Sequence, residues 1–85
     1  MKYNKGDKFT FNTHRPYTPH GQIINITVLK VEHDEQWDMT FYTVSFIDES
    51  RNIEGVLTDL WDCDEDTIMR AYDRGGYVSH LKWEG

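Results

Sequence analysis

Eighty-five residues carrying fifteen acids against nine bases, a net charge of −6, describe one small domain. A chain this short buries only roughly 60–65% of its unfolded surface, which disfavours a deep enzyme cleft. No apolar run approaches the roughly 18 residues that cross a bilayer, and the basic start lacks a following signal-type apolar stretch, so a soluble, cytoplasmic protein without membrane contact is expected.

Lys5-Gly6-Asp7-Lys8 reads as a turn into a first strand, Lys8 to Asn12, with Phe9 and Phe11 on one face. Residues 12–21 follow with Pro16, Pro19 and Gly21. Two prolines and a glycine exclude a helix and disfavour an interior strand, so a long exposed loop is expected there. Gln22 to Glu32 is the second strand. Ile24, Ile26 and Val28 share one face, whereas Leu29 and Val31 fall on the other, and such a switch signals a bulge.

After the acidic connection His33 to Asp38 comes the strongest pattern in the chain, Met39 to Asp48. Tyr42, Val44 and Phe46 alternate with Phe41, Thr43, Ser45 and Ile47, so both faces are bulky and the strand suits the middle of a sheet. A turn over Asp48-Glu49-Ser50-Arg51-Asn52 leads to a short fourth strand near Ile53 to Leu57, in which Gly55 suggests close backbone approach. Acids then crowd Asp62 to Asp66, Arg70 and Arg74 follow, and Gly75-Gly76 closes the segment. That order complements a helix dipole and predicts one helix near 64–74, with Ile68, Met69 and Tyr72 on its buried stripe. A last strand is expected over 77–83.

Lys5-Gly6-Asp7-Lys8-Phe9, then Ile26-Thr27-Val28, then Tyr42-Thr43-Val44-Ser45-Phe46 and a short acidic helix together resemble the small SH3-like barrel proteins common in phages and prophages of Gram-positive bacteria. The resemblance implies a mainly β (α+β) fold: a small, partly open SH3-like barrel of about five strands with one short helix, as a single domain over 1–85. It also implies a binding module and a mobile-element origin, and it carries no site residues with it. The loop at 12–21 and the strand after the helix depart from the short form of that pattern.

Catalytic signatures are missing. His14, His20, His33 and His80 are scattered without the i, i+4 spacing of a helical metal site, and Cys63 has no second cysteine, so neither a metal nor another cofactor is expected. The acids around Cys63 disfavour its thiolate, which argues against a nucleophile. Glu54 is the sole acid in the interior of a predicted strand; the other acids fall at strand ends, in turns or at the helix start, where solvation keeps them ionised. No catalytic residue is therefore expected.

Charge is unevenly spread. Residues 1–30 hold Lys2, Lys5, Lys8, Arg15 and Lys30 against Asp7, a balance of +4; residues 31–69 hold twelve acids against Arg51, a balance of −11. So negative a sector repels phosphate backbones and makes direct nucleic-acid binding unfavourable. Capping and solubility explain part of it, chiefly Asp62, Asp64, Glu65 and Asp66. A helix start does not require Glu32, Asp34, Glu35 and Asp38 as well. Trp37 and Trp61 lie within the two acidic runs and suit interface anchors or core equally well.

The expectation is a non-enzymatic protein-binding module, an inhibitor of phage or mobile-element type. Its partner-binding residues would be Glu32, Asp34, Glu35, Trp37, Asp38, Asp59, Trp61, Asp62, Asp64, Glu65 and Asp66. They would cover the basic nucleic-acid-binding surface of a host protein as a DNA mimic. One alternative is a nucleic-acid accessory protein using Arg15, Tyr17 and His20. Another is a self-associating subunit using Phe41, Tyr17 and an edge of the last strand.

Overall fold

A computed structural model describes residues 3–15, 18–75 and 78–81. Strands β1 (Lys8–Arg15), β2 (Thr18–Asp34), β3 (Met39–Asp48) and β4 (Ile53–Leu60) form an antiparallel meander in sequence order. Helix α1 (Glu65–Arg74) follows, and a four-residue segment, β5 (Val78–Leu81), runs antiparallel beside the first half of β4. The pairings describe a linear, open sheet with β3 at its centre, where the two-faced alternation of Met39 to Asp48 places it.

One sheet face makes the core. Ile24, Ile26 and Val28 of β2 stand opposite Asp48, Phe46 and Val44 of β3, while Leu57 and Leu60 continue the layer on β4. Helix α1 covers this layer with Ile68, Met69 and Tyr72, at positions that share one helical stripe. Burying each of these side chains contributes about 1.5–3 kcal/mol. The Phe46 and Tyr72 rings meet edge to face, with centroids 5.2 Å apart at 74°. Beyond the helix, Tyr3, Phe9 and Phe11 extend the layer as a half-buried aromatic group, Tyr3 standing edge-on to Tyr42 at 5.5 Å. The opposite face (Thr27, Thr43, Ser45, Ile47, Val56) has no helix over it.

Three register shifts bend the sheet. One extra residue at Leu29, between the Val28–Val44 and Lys30–Thr43 pairs, returns Val31 to the core side opposite Tyr42. This is the change of face legible in β2, and it leaves Leu29 exposed. A second shift puts four residues of β4, Leu57 to Leu60, against three of β3, Tyr42 to Val44, with Asp59 at φ 58. Because of it β4 continues to Leu60 instead of stopping at Leu57.

The third shift corrects the expected loop at 12–21. β1 continues to Arg15 and β2 already begins at Thr18, with Pro16 and Tyr17 outside the described residues. Pro19 is accommodated because it falls in the irregular stretch between the Thr13–Gln22 and Arg15–Thr18 pairs, where no regular ladder donor is needed. Gly21, at φ 95, supplies the turn of the chain there; a side chain would also meet Asn12 Oδ1 and His14 Nε2 at 3.2 Å. Of the expected last strand, 78–81 is described as strand and 77, 82 and 83 lie outside the described residues.

Helix α1 starts and stops as its sequence directs. Asp64 is the N-cap, its Oδ1 accepting from Thr67 N at 2.8 Å, and Gly75 ends the helix in the left-handed region at φ 67. Asp64→Ala is expected to cost about 1 kcal/mol, lowering the melting temperature by about 4–8 °C, whereas Asp64→Asn stays near wild type. Thermal unfolding followed by circular dichroism checks this; equal losses in the two variants would exclude the capping role.

Candidate functional site

The strand order brings the acidic β2–β3 turn and the end of β4 to one end of the sheet. β4 runs antiparallel to β3 and so finishes where β3 begins, beside the turn that joins β2 to β3. The start of α1 follows at once. Asp59 at the end of β4 consequently shares one shallow depression, about 490 Å³, with Glu32, Asp34 and Glu35 of the turn and with the Phe41 ring. Beyond Tyr42 and Val31 the β2–β3 ribbon continues for three further residues on each strand before its turn.

That turn has a twin. In Asp34-Glu35-Gln36-Trp37-Asp38 the first carboxylate accepts from the backbone N–H groups of Gln36 and Trp37 at 3.0 and 3.3 Å, and Asp38 takes a positive φ of 49°. In Asp48-Glu49-Ser50-Arg51-Asn52 the first carboxylate accepts from Ser50 and Arg51 at 3.0 and 3.2 Å, and Asn52 takes φ 56°. Both loops use the self-bonding tendency of Asp and the left-handed tolerance of Asp and Asn. The chemistry is the same and the outcome differs. The first turn presents Trp37 to solvent at 68% exposure; the second turns Asp48 inward.

The acids divide into structural and unengaged groups. Asp34 and Asp64 cap their turn and helix, and Asp62 Oδ1 accepts from Cys63 N at 2.7 Å. Glu32 pairs with Lys30 at 3.3 Å and Asp38 with His33 at 3.3 Å, while Asp66 lies 4.0 Å from Arg70, all on the surface where such pairs contribute little. Glu35, Asp59 and Glu65 are exposed and make no hydrogen bond or ion pair with other described residues. Trp61 is 59% exposed, so neither tryptophan of the acidic runs belongs to the core.

Trp61 is not surrounded by acid alone. A groove between the end of β4 and α1 has Trp61 and Asp59 on one side and Arg70 and Arg74 on the other. The arginines were legible as an i, i+4 pair; their position opposite Trp61 was not, because it depends on how the helix crosses the sheet.

Arg15 is corrected outright. Expected on an exposed loop, it is 16% exposed and points inward, its Nη1 donating to both oxygens of Asp73 at 2.6 and 2.8 Å and its Nη2 to Gln22 Oε1 at 2.6 Å. Gln22 Nε2 in turn donates to Asp48 Oδ2 at 2.8 Å, and Tyr72 Oη donates to the same oxygen at 2.6 Å. This chain of polar groups ties β1, β2, the β3–β4 turn and α1 together. Asp48, expected in a solvated turn, is fully buried. Tyr17 lies outside the described residues, and His20 is exposed. Arg15→Ala is expected to destabilise the fold by about 1–3 kcal/mol, seen as a lower urea midpoint. An unchanged midpoint would remove the structural assignment.

Among the described residues no group of three or more His, Cys, Asp and Glu side chains is arranged to hold a metal ion, and no helix is long and apolar enough to cross a membrane. Comparison with protein-family models, with curated proteins and with solved structures gives no match.

Proposed function

We propose that this domain is a non-enzymatic docking module that covers a basic, nucleic-acid-binding surface of another protein. The observation that carries this is the meeting, at one end of the sheet, of acids from two segments separated by a whole hairpin, next to two exposed tryptophans. Clustered carboxylates steer a basic surface into encounter, and large exposed rings supply the contact area that holds it. The same arrangement would compete with a phosphate backbone for that surface. Together with the sequence resemblance it supports an inhibitor of phage or mobile-element type, acting in the cytoplasm of a bacterial host. The SH3-like barrel belongs to this proposal too; the register shifts support it, since bulges bend strands and small barrels turn their corners with them.

The test uses acids that cap neither the turn nor the helix and whose ion pairs, where they have one, lie on the surface. Glu32→Gln, Glu35→Gln, Glu65→Gln and Asp66→Asn combined leave the Asp34 and Asp64 caps in place. A partner recovered from a bacterial lysate is expected to bind this variant roughly ten- to hundred-fold more weakly at physiological salt, chiefly through slower association. Short duplex DNA is expected to displace the wild-type domain from that partner. Binding that survives both the substitutions and the DNA competitor would defeat the proposal.

A further inference from the structure

The sheet face turned away from α1 carries a pattern that the monomer does not use. Strand pairing sets Lys8 on β1 level with Val56 on β4, and Thr10 level with Glu54, with Ile47 between these last two. Ile23, Ile47 and Val56 each lie one strand and two residues from the next, so they form an aliphatic stripe running diagonally across the face. Ile23 and Val56 are exposed and Ile47 is half-buried. Lys8 stands on one side of the stripe and Glu54 on the other. Neither makes an ion pair or side-chain hydrogen bond with another described residue, although Glu54 is half-buried. The small polar positions partly satisfy one another, the Thr10 hydroxyl donating to Asn25 Oδ1 at 2.7 Å.

From this pattern we infer that two copies of this chain pack these faces together, sheet on sheet, about a twofold axis that follows the stripe. Such an axis sets each stripe beside its copy and exchanges the two flanks, so that Lys8 of each copy meets Glu54 of the other. Packed sheets stand about 10 Å apart, a gap that an extended lysine and a glutamate bridge from opposite sides. The contact takes the aliphatic stripe out of water and gives a half-buried carboxylate a cation. It is isologous, so it closes at the dimer.

Charge selects a second copy as the occupant. Each copy carries −6, yet the two rows from β1 to β4 balance one cation against one anion, so like copies meet there without a local excess of either sign. Glu49, beside Ile23 at the corner of the face, is exposed and stays at the rim. Met39, where the acidic turn ends, is about 20 Å along β3 from Ser45. At the roughly 30° crossing of aligned sheets the two acidic turns diverge by about 10 Å beyond the sheet spacing, more than the screening length of roughly 8 Å. A nucleic acid would find a single lysine and no aromatic ring on these rows, which disfavours it. A patch four strands wide and five residues long, at about 4.8 and 3.4 Å each, offers roughly 320 Å² per copy. Two such patches fall short of the roughly 1,200 Å² of stable interfaces, so the dimer is weak and forms at high protein concentration.

The inference goes beyond the docking proposal and uses a different surface. Sedimentation velocity at physiological salt, with loading up to about 1 mM, tests it. Wild-type protein is expected to pass from monomer to dimer as concentration rises and to grow no further. Lys8→Glu and Glu54→Lys each set like charges against one another across the axis, and each is expected to weaken dimerisation at least about tenfold. An equimolar mixture of the two variants restores both opposite-charge pairs and is expected to form a mixed dimer about as readily as wild type. Wild type that stays monomeric throughout overturns the inference, as does growth into longer species. A single variant that dimerises like wild type, or a mixture no better than its components, overturns it too. Glu54→Lys leaves every residue of the docking proposal in place, so retained partner binding alongside lost dimerisation separates the two. Circular dichroism confirms that each variant is folded before its result is read.

Discussion

Asp48→Ala is expected to destabilise the domain by about 3–5 kcal/mol, because it strands a whole set of buried donors. Asp48 is fully buried and its two oxygens accept from Ser50 N, Arg51 N, Gln22 Nε2 and the Tyr72 hydroxyl. Alanine leaves all four donors without that acceptor, two of them on side chains in the interior. An 85-residue domain has about 4–13 kcal/mol of stability, so the loss removes a large share of it. Urea unfolding measures this through the midpoint. Asp48→Asn keeps one oxygen for the turn and is expected to fall between wild type and alanine. Tyr72→Phe should cost about 1–2 kcal/mol in wild type and markedly less once Asp48 is alanine, since the two share one bond. Strict additivity of the two substitutions would mean that the hydroxyl and the carboxylate do not act together.

The second large effect is expected at Phe46. Phe46→Ala removes the ring at the centre of the middle strand, 0% exposed, between Ile26 on β2 and Gly55 on β4 and edge-on to Tyr72 of α1. Truncations of this kind cost about 3–5 kcal/mol, the transfer free energy of the lost atoms plus the cavity they leave. Gly55, opposite, has no side chain with which to fill the gap. Ser45→Ala, one residue away on the face without a helix, is expected to stay within about 0.5 kcal/mol. Comparable losses at 45 and 46 would mean that the covered and uncovered faces have been assigned the wrong way round.

These two residues also mark how much of the molecule was legible beforehand. Phe46 was readable: a period of two puts Tyr42, Val44 and Phe46 together whatever the neighbours are, and all three are core. The helix over Glu65–Arg74 was readable for the same reason, since its cap, its stripe and its closing glycine are set by residues within a few positions of one another. The bulge at Leu29 announced itself as a broken alternation. Asp48 was not readable, because it and Asp34 head turns of the same plan, and local chemistry assigns both to solvent. What separates them is Gln22 on the neighbouring strand and Tyr72 on the helix. Arg15 deceived for a related reason: prolines nearby suggested a loop, while Asp73, fifty-eight residues away, holds its side chain against the fold.

The candidate site follows the same division. Sequence established that the middle of the chain is acidic, that Trp37 and Trp61 lie in the acidic runs, and that Arg70 and Arg74 are one helical turn apart. These are properties of composition and short-range spacing, and they survive any arrangement of the elements. That Asp59 reaches the end where the acidic β2–β3 turn lies, that both tryptophans stay outside the core, and that the arginines share a groove with Trp61 were decided by the antiparallel order of β2, β3 and β4 and by the path of α1. Pairing between distant segments is chosen by burial of the whole apolar layer at once, so the partners it creates are written in no single stretch of the chain.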